Sequence, residues 1–104
     1  MRTSLSHWES RLVDRVVRLV RDEVGVDPTL DTRVPSVAHA RQVVMALLVL
    51  AGLSTPKVGQ ALGRDHSTVI YGARRALERD RDVVDRLWWR VNLERRRLGL
   101  GQGH

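Results

Sequence analysis

The chain has 104 residues and no cysteine, with 42% hydrophobic side chains, 29% charged ones and a net charge of +6. Its length supports one domain around a single modest core, the missing thiols exclude disulfides and thiolate metal sites, and no apolar run reaches the roughly 18 residues of a membrane span. Residues 1–53 carry seven Arg against six acids whereas residues 54–104 carry ten Arg and one Lys against six, the uneven basic excess of a nucleic-acid binder or of a merely solvated arginine-rich surface.

From the N-terminus, residues 5–24 place apolar side chains at 5, 8, 12, 16, 19, 20 and 24, the spacing of a helix. Glu9, Arg11, Asp14, Arg15, Arg18, Arg21 and Asp22 fill its other face. Ser6 with Glu9 is a candidate capping box, and Gly25 is the stop. Mixed charges favour a core helix over a membrane-surface one. The opening twenty residues also lack a small-residue cleavage site, so they do not read as a signal peptide, and the cytoplasm is the default location.

Residues 26–35, with Pro28 and Pro35, form a loop whose single basic residue is Arg33. Residues 36–51 give a second helix, capped by Ser36, with Val37, Ala40, Val44, Leu47, Leu48 and Ala51 inward. Arg41 and Gln42 lie on its early, more polar part, and Gly52 ends it. With three Trp, one Tyr and no Phe, the core is expected to be aliphatic. A short helix over residues 54–62 has Thr55 as its cap and Pro56 at its first position, where no hydrogen bond is lost, with Val58, Ala61 and Leu62 facing inward.

Gly63 then turns the chain, and Asp65 caps a helix that runs to about Arg79. Val69, Ala73, Ala76 and Leu77 make its core face, while His66, Ser67, Tyr71, Arg74, Arg75 and Glu78 lie elsewhere. A short helix, a glycine turn and a longer helix with a polar start make a helix-turn-helix over about residues 54–79. A last helix over 82–98 uses Val83, Val84, Leu87, Trp88 and Val91 and finishes in three arginines, favourable at a helix C-terminus. Trp88 and Trp89 are about 100° apart on that helix and cannot both face one core. Residues 1–98 thus read as one helical domain, and 99–104 as a disordered tail.

Enzyme chemistry is not visible. His7, His39, His66 and His104 show no metal-binding spacing, Ser67 beside His66 has nothing to orient an imidazole, and Lys57, Gly59 and Gly63 lack the spacing of a phosphate loop. No cofactor is expected. The start of the fourth helix does suit bases. Asp65 can accept from the amino group of cytosine or adenine besides capping, and His66 and Ser67 can hydrogen-bond base edges. Thr68 and the free amides of the first turn can hold a phosphate, and Tyr71 and Arg75 lie where the DNA backbone would pass. The bland alternatives are a pure cap for Asp65 and a solvated His66.

The run Arg64-Asp65-His66-Ser67-Thr68-Val69-Ile70-Tyr71 closely resembles the signature of the C-terminal DNA-binding domain of DnaA, the bacterial chromosomal replication initiator. The resemblance continues through Ala40-Arg41-Gln42, Met45-Ala46-Leu47 and Leu53-Ser54-Thr55-Pro56-Lys57-Val58-Gly59, covering roughly residues 8–98. It implies an all-α helical bundle with a helix-turn-helix, of the Trp-repressor or DnaA domain IV kind. It also implies sequence-specific binding of a short AT-rich duplex like the initiator's nine-base-pair box. Position by position, Asp65, His66 and Ser67 match major-groove readers, and Pro56 matches a proline on a thymine methyl. Arg41, Gln42, Thr68, Tyr71 and Arg75 match phosphate contacts, and Arg33 matches an arginine inserted into the minor groove. Lys57 and Arg64, inside the matched runs, join the same surface.

Four departures qualify the resemblance. One glycine of the usual pair before Arg64 is missing, which predicts a tighter turn. The basic loop keeps only Arg33 and adds Asp31, and Val49 replaces a common lysine, so weaker non-specific binding is expected. The nucleotide-binding motor domain expected to precede this one is not in the sequence, so a stand-alone binding module is expected rather than one that binds ATP, forms filaments or melts an origin. It would regulate replication or transcription, or compete with or couple to a host initiator, and a phage or mobile element is one possible source. The expected partner is double-stranded DNA and not a membrane, with the chain a monomer or weak dimer. The competing reading is a protein-interaction or dimerisation module built on Trp88 and Trp89, and a fragment of a longer initiator gene is a third.

Overall fold

The computed structural model describes residues 5–99, which form five helices: α1 (His7–Val24), α2 (Pro35–Leu50), α3 (Thr55–Leu62), α4 (His66–Arg79) and α5 (Arg81–Gly99). No strand occurs among the described residues, so the all-α expectation holds. Of the tail expected over residues 99–104, Gly99 is the last residue of α5 and residues 100–104 lie outside the described residues.

Helix α2 is the centre. It is apolar nearly all round, with buried side chains on every face from Val37 to Leu48, as a helix surrounded by others must be. It packs on α1, α3, α4 and α5, whereas α1 packs chiefly on α2 and α5. Leu12, Val16 and Val20 of α1 share one buried cluster with Val44, Leu47 and Leu48 of α2 and with Val58, Val69, Val84 and Val91. The core is aliphatic, and each such side chain stabilises the fold by about 1.5–3 kcal/mol relative to exposure. Val49, at the position where the resemblance has a common lysine, lies half-buried at the core edge.

Local signals set the helix ends. The capping box is complete: Ser6 accepts from the Glu9 amide, and the Glu9 carboxylate accepts from the Ser6 amide at 2.8 Å. Gly25 closes α1 in the left-handed region at φ 79°, where only glycine is free of strain. Two cap assignments need correction. Helix α2 begins at Pro35 rather than being capped by Ser36, because proline at the first position presets φ and has no N–H to lose. Helix α3 is capped by Ser54, not Thr55. The Ser54 hydroxyl reaches the Lys57 amide at 3.3 Å, which places Thr55 first and Pro56 second in the helix.

Glu9 also departs from the sequence expectation. Its position puts it among the solvated charges of α1, yet it is only 7% exposed. Its carboxylate lies between the Ser6 amide and the Lys57 ammonium, whose Nζ donates to both oxygens at 3.0 and 2.8 Å. The pair ties the start of α1 to the start of α3.

Candidate nucleic-acid interface

The helix-turn-helix is shaped by two glycines with different jobs. Gly63 ends α3 at φ 68°, and the amides of Gly63 and Arg64 both donate to the Gly59 carbonyl. Gly59 makes room for that turn, since a β-carbon there would stand 2.3 Å from the Arg64 carbonyl oxygen. A methyl group at Gly59 would therefore force α3 and the turn apart. The single glycine before Arg64 is sufficient to reverse the chain.

Asp65 follows in an extended conformation and caps α4, its Oδ1 accepting from the Thr68 amide at 2.8 Å. Hydrogen bonds from Thr68, backbone first, hold this carboxyl below the ordinary aspartate range, so it is ionised at neutral pH. Capping engages Oδ1 and leaves Oδ2 as an acceptor, so the two readings of Asp65 are compatible. His66, Ser67 and Thr68 are exposed, as are Ile70 and Tyr71, the latter by 60%. On the opposite face Val69, Gly72, Ala73 and Ala76 are buried against α2 and its neighbours. Gly72 brings α4 close to α2, where its missing β-carbon would meet the Met45 sulfur.

Ile70 lies inside the matched run but has no role among the residues expected to touch DNA. An isoleucine invites assignment to the core, but Val69 already takes that direction, and the next residue lies about 100° round the helix. Ile70 therefore stands 43% exposed beside the polar first turn, where an apolar side chain can touch a thymine methyl.

The second part of the surface is where the loop between α1 and α2 meets the turn. Arg41 is 8% exposed, and its guanidinium donates to the carbonyls of Pro28, at 3.2 Å, and Leu30. Burial and then the nearby Arg64 charge push its pKa down from the usual arginine value, with Asp31 partly opposing. Arg64 folds onto the Gly63 carbonyl at 3.2 Å and reaches the exposed Asp31 carboxylate at 3.5 Å. Thus the loop that carries Arg33 is tied from inside by Arg41 and from outside by Arg64. Arg33 itself is exposed, with no carboxylate partner among the described residues.

Arg41, Gln42, Arg64, Thr68 and Tyr71 line one crevice of about 60 Å³ between α2 and α4. Residues expected to contact phosphates from two separate stretches of sequence are thereby brought together. Gln42 is partly engaged there, its Oε1 accepting from Arg79 at 2.8 Å. Arg75 lies exposed with a loose 3.5 Å contact to Glu78. Pro56 is exposed at the start of α3. Lys57 differs from all of these because its ammonium is committed to Glu9.

Residues 13–76 match the family described as the bacterial dnaA protein helix-turn-helix. The chain belongs to that family. Over 63 residues it is 44% identical to the chromosomal replication initiator protein DnaA of Gloeobacter violaceus, covering 56% of this chain and 14% of that protein. Over 46 residues it is 48% identical to the protein of the same name from Tropheryma whipplei strain Twist, covering 43% of this chain and 10% of that one. The aligned stretch is thus a small part of these relatives. No solved structure gives a significant match.

The dnaA family match runs from α1 into α4 and includes every candidate contact from Arg33 to Arg75. The chain therefore carries the family's DNA-binding helix-turn-helix, a module that is not catalytic. Among the described residues no helix is long and apolar enough to cross a membrane, and no group of His, Asp and Glu is placed to hold a metal ion.

Proposed function

We propose that this dnaA-family domain binds a short duplex element in a sequence-specific manner, with the first turn of α4 in the major groove. The observation that carries the reading is the exposed start of α4, where His66, Ser67 and Ile70 stand free beside an ionised Asp65 on a rigidly turned helix. His66 and Ser67 would hydrogen-bond base edges, Oδ2 of Asp65 would accept from an amino group, and Ile70 and Pro56 would meet thymine methyls. Thr68, Tyr71, Arg64 and Arg75 would position the sugar-phosphate backbone, and Arg33 would enter the minor groove from the tethered loop. Arg41 and Gln42 would support the phosphate crevice mainly by holding the loop and Arg79.

The relatives are replication initiators by name, so an element resembling the initiator's box is the natural target. Occupying such boxes would regulate replication initiation or transcription, in competition with a full-length initiator or coupled to it. These 104 residues contain no phosphate loop, and nucleotide hydrolysis is not part of the activity proposed for the domain. The test is a binding titration at physiological salt, with an initiator-box duplex against a scrambled duplex of equal composition. The box is expected to bind at least roughly tenfold tighter, and equal affinities would refute sequence-specific reading.

A further inference from the structure

Away from the DNA surface, α1 and α5 enclose a groove of about 310 Å³. Leu19, Trp89 and Leu93 supply its apolar lining, and Arg15, Arg18 and Arg90 stand around it. Trp89 is 63% exposed and Leu93 51%. The adjoining Trp88 is the half-buried one of the pair and packs on the core. Trp88 covers the core edge, and Trp89 is the member of the pair whose indole faces the open groove. None of the candidate DNA contacts lines this groove.

The charge around it is also unspent. Two carboxylates share the groove, but Glu94 already pairs with Arg97 at 3.2 Å and Asp22 lies near Arg21 at 3.8 Å. Arg15, Arg18 and Arg90 have no carboxylate partner among the described residues. Arg11 extends the row, since positions 11, 15 and 18 follow one another on one face of α1, with Asp14 beside them but not paired with any of the three. Tryptophan and arginine are the side chains that most often anchor protein contacts.

We infer that the α1–α5 groove docks an acidic amphipathic helix of another protein, whose apolar residues would cover Trp89 and Leu93 while its carboxylates pair with Arg15, Arg18 and Arg90. This goes beyond the DNA-binding reading and does not depend on it. A second copy of the chain fits poorly, because a two-fold pairing through this groove sets unpaired arginines against unpaired arginines. A nucleic-acid backbone would meet the arginines but leave the indole and two leucines against hydrated phosphates. An acidic helix with an apolar stripe satisfies both halves of the groove, as in helix-in-groove recognition.

The test uses the full chain and two synthetic helix-forming peptides of about four turns. Both carry leucines on one stripe, one with glutamates flanking them and the other with glutamines. Binding is followed by the three tryptophan indole N–H signals in nitrogen-15 NMR and by fluorescence anisotropy of the labelled peptide. The glutamate peptide is expected to bind at least roughly tenfold tighter than the glutamine peptide and to shift Trp89 and the α1 arginine row. Trp89→Ser and the double variant Arg15→Glu, Arg18→Glu should each weaken it by a similar factor while leaving DNA affinity within about twofold. Equal binding of the two peptides, no binding, or shifts confined to α4 would overturn the proposal. Light scattering that shows a dimer abolished by Trp89→Ser would overturn it in favour of self-association. Capture by phosphatidylglycerol vesicles without selective binding of the glutamate peptide would overturn it in favour of a lipid surface.

Discussion

At the start of α4 the candidate base readers are exposed and hold no internal partner beyond the Asp65 cap, whereas at the start of α2 the arginine expected to meet DNA is drawn into the protein. Arg41 is buried under the loop it binds, Gln42 receives Arg79, and further along the chain Lys57 is paired with Glu9. Both regions match the same family, but they divide its work. One is exposed and under the proposed function would meet the ligand, and the other is bonded to the loop and helices that would aim it. A charged side chain near a DNA surface is therefore no guide to its role until its partners are known. A buried guanidinium contributes through the carbonyls it satisfies, and an exposed one through the phosphate it awaits.

The largest effect is expected at Arg41. Arg41→Ala leaves the Pro28 and Leu30 carbonyls without their donor, and urea unfolding should show a loss of about 1–3 kcal/mol. DNA affinity should fall as well, because the loop bearing Arg33 loses its inner tether. Undiminished stability in this variant would mean that Arg41 belongs with the outward-facing group. His66→Ala supplies the converse. Its affinity for the preferred duplex should fall by about 1–3 kcal/mol, with the unfolding midpoint shifted by no more than about 0.5 kcal/mol in stability.

Lys57→Met sharpens the supporting side. Its ammonium is partly exposed, with 31% of the side chain accessible, so the expected loss is about 1 kcal/mol at neutral pH rather than the larger figure for a fully buried pair. The pH dependence has a definite sign. Burial pushes the Glu9 carboxyl up, but Lys57 and Ser6 outweigh it and hold it below the ordinary glutamate value of 4.5. That stability is present above the unfolded-state value and is lost as pH falls through the lower folded-state value. The gap between the wild type and Lys57→Met should therefore close in urea titrations carried below that range. The smallest effect is expected at Asp31. Asp31→Asn releases Arg64 from an exposed 3.5 Å contact, so duplex affinity should rise about two- to threefold at low salt, and the gain should disappear as salt screens it.

What the sequence made legible was local. Ser6 with Glu9, Gly25, Gly63 and Asp65 mark helix ends through hydrogen bonds that span three or four residues, and such bonds are written into adjacent letters. The exposed start of α4 was readable for the same reason. Pairings across the fold were not. Lys57 finds Glu9 across 48 positions and Arg79 finds Gln42 across 37, and no spacing rule joins residues that distant. Ile70 escaped because hydrophobicity alone does not say which side of a helix a residue takes. The cap of α3 slipped by one position because Ser54 and Thr55 both stand before Pro56 and offer two equivalent starts, and that of α2 by two because Pro35 starts the helix directly after Val34, which makes no side-chain cap.

The central claim is that the outward side chains of α4 read bases while the buried ones only support them. Selection of bound duplexes from a random pool, run in parallel with the wild type and His66→Ala, tests it most directly. The wild type should enrich one short motif, and His66→Ala, folded as stably, should lose preference at one or two positions within it. A wild type that enriches no motif, or a variant that recovers the identical motif with undiminished preference, would contradict it.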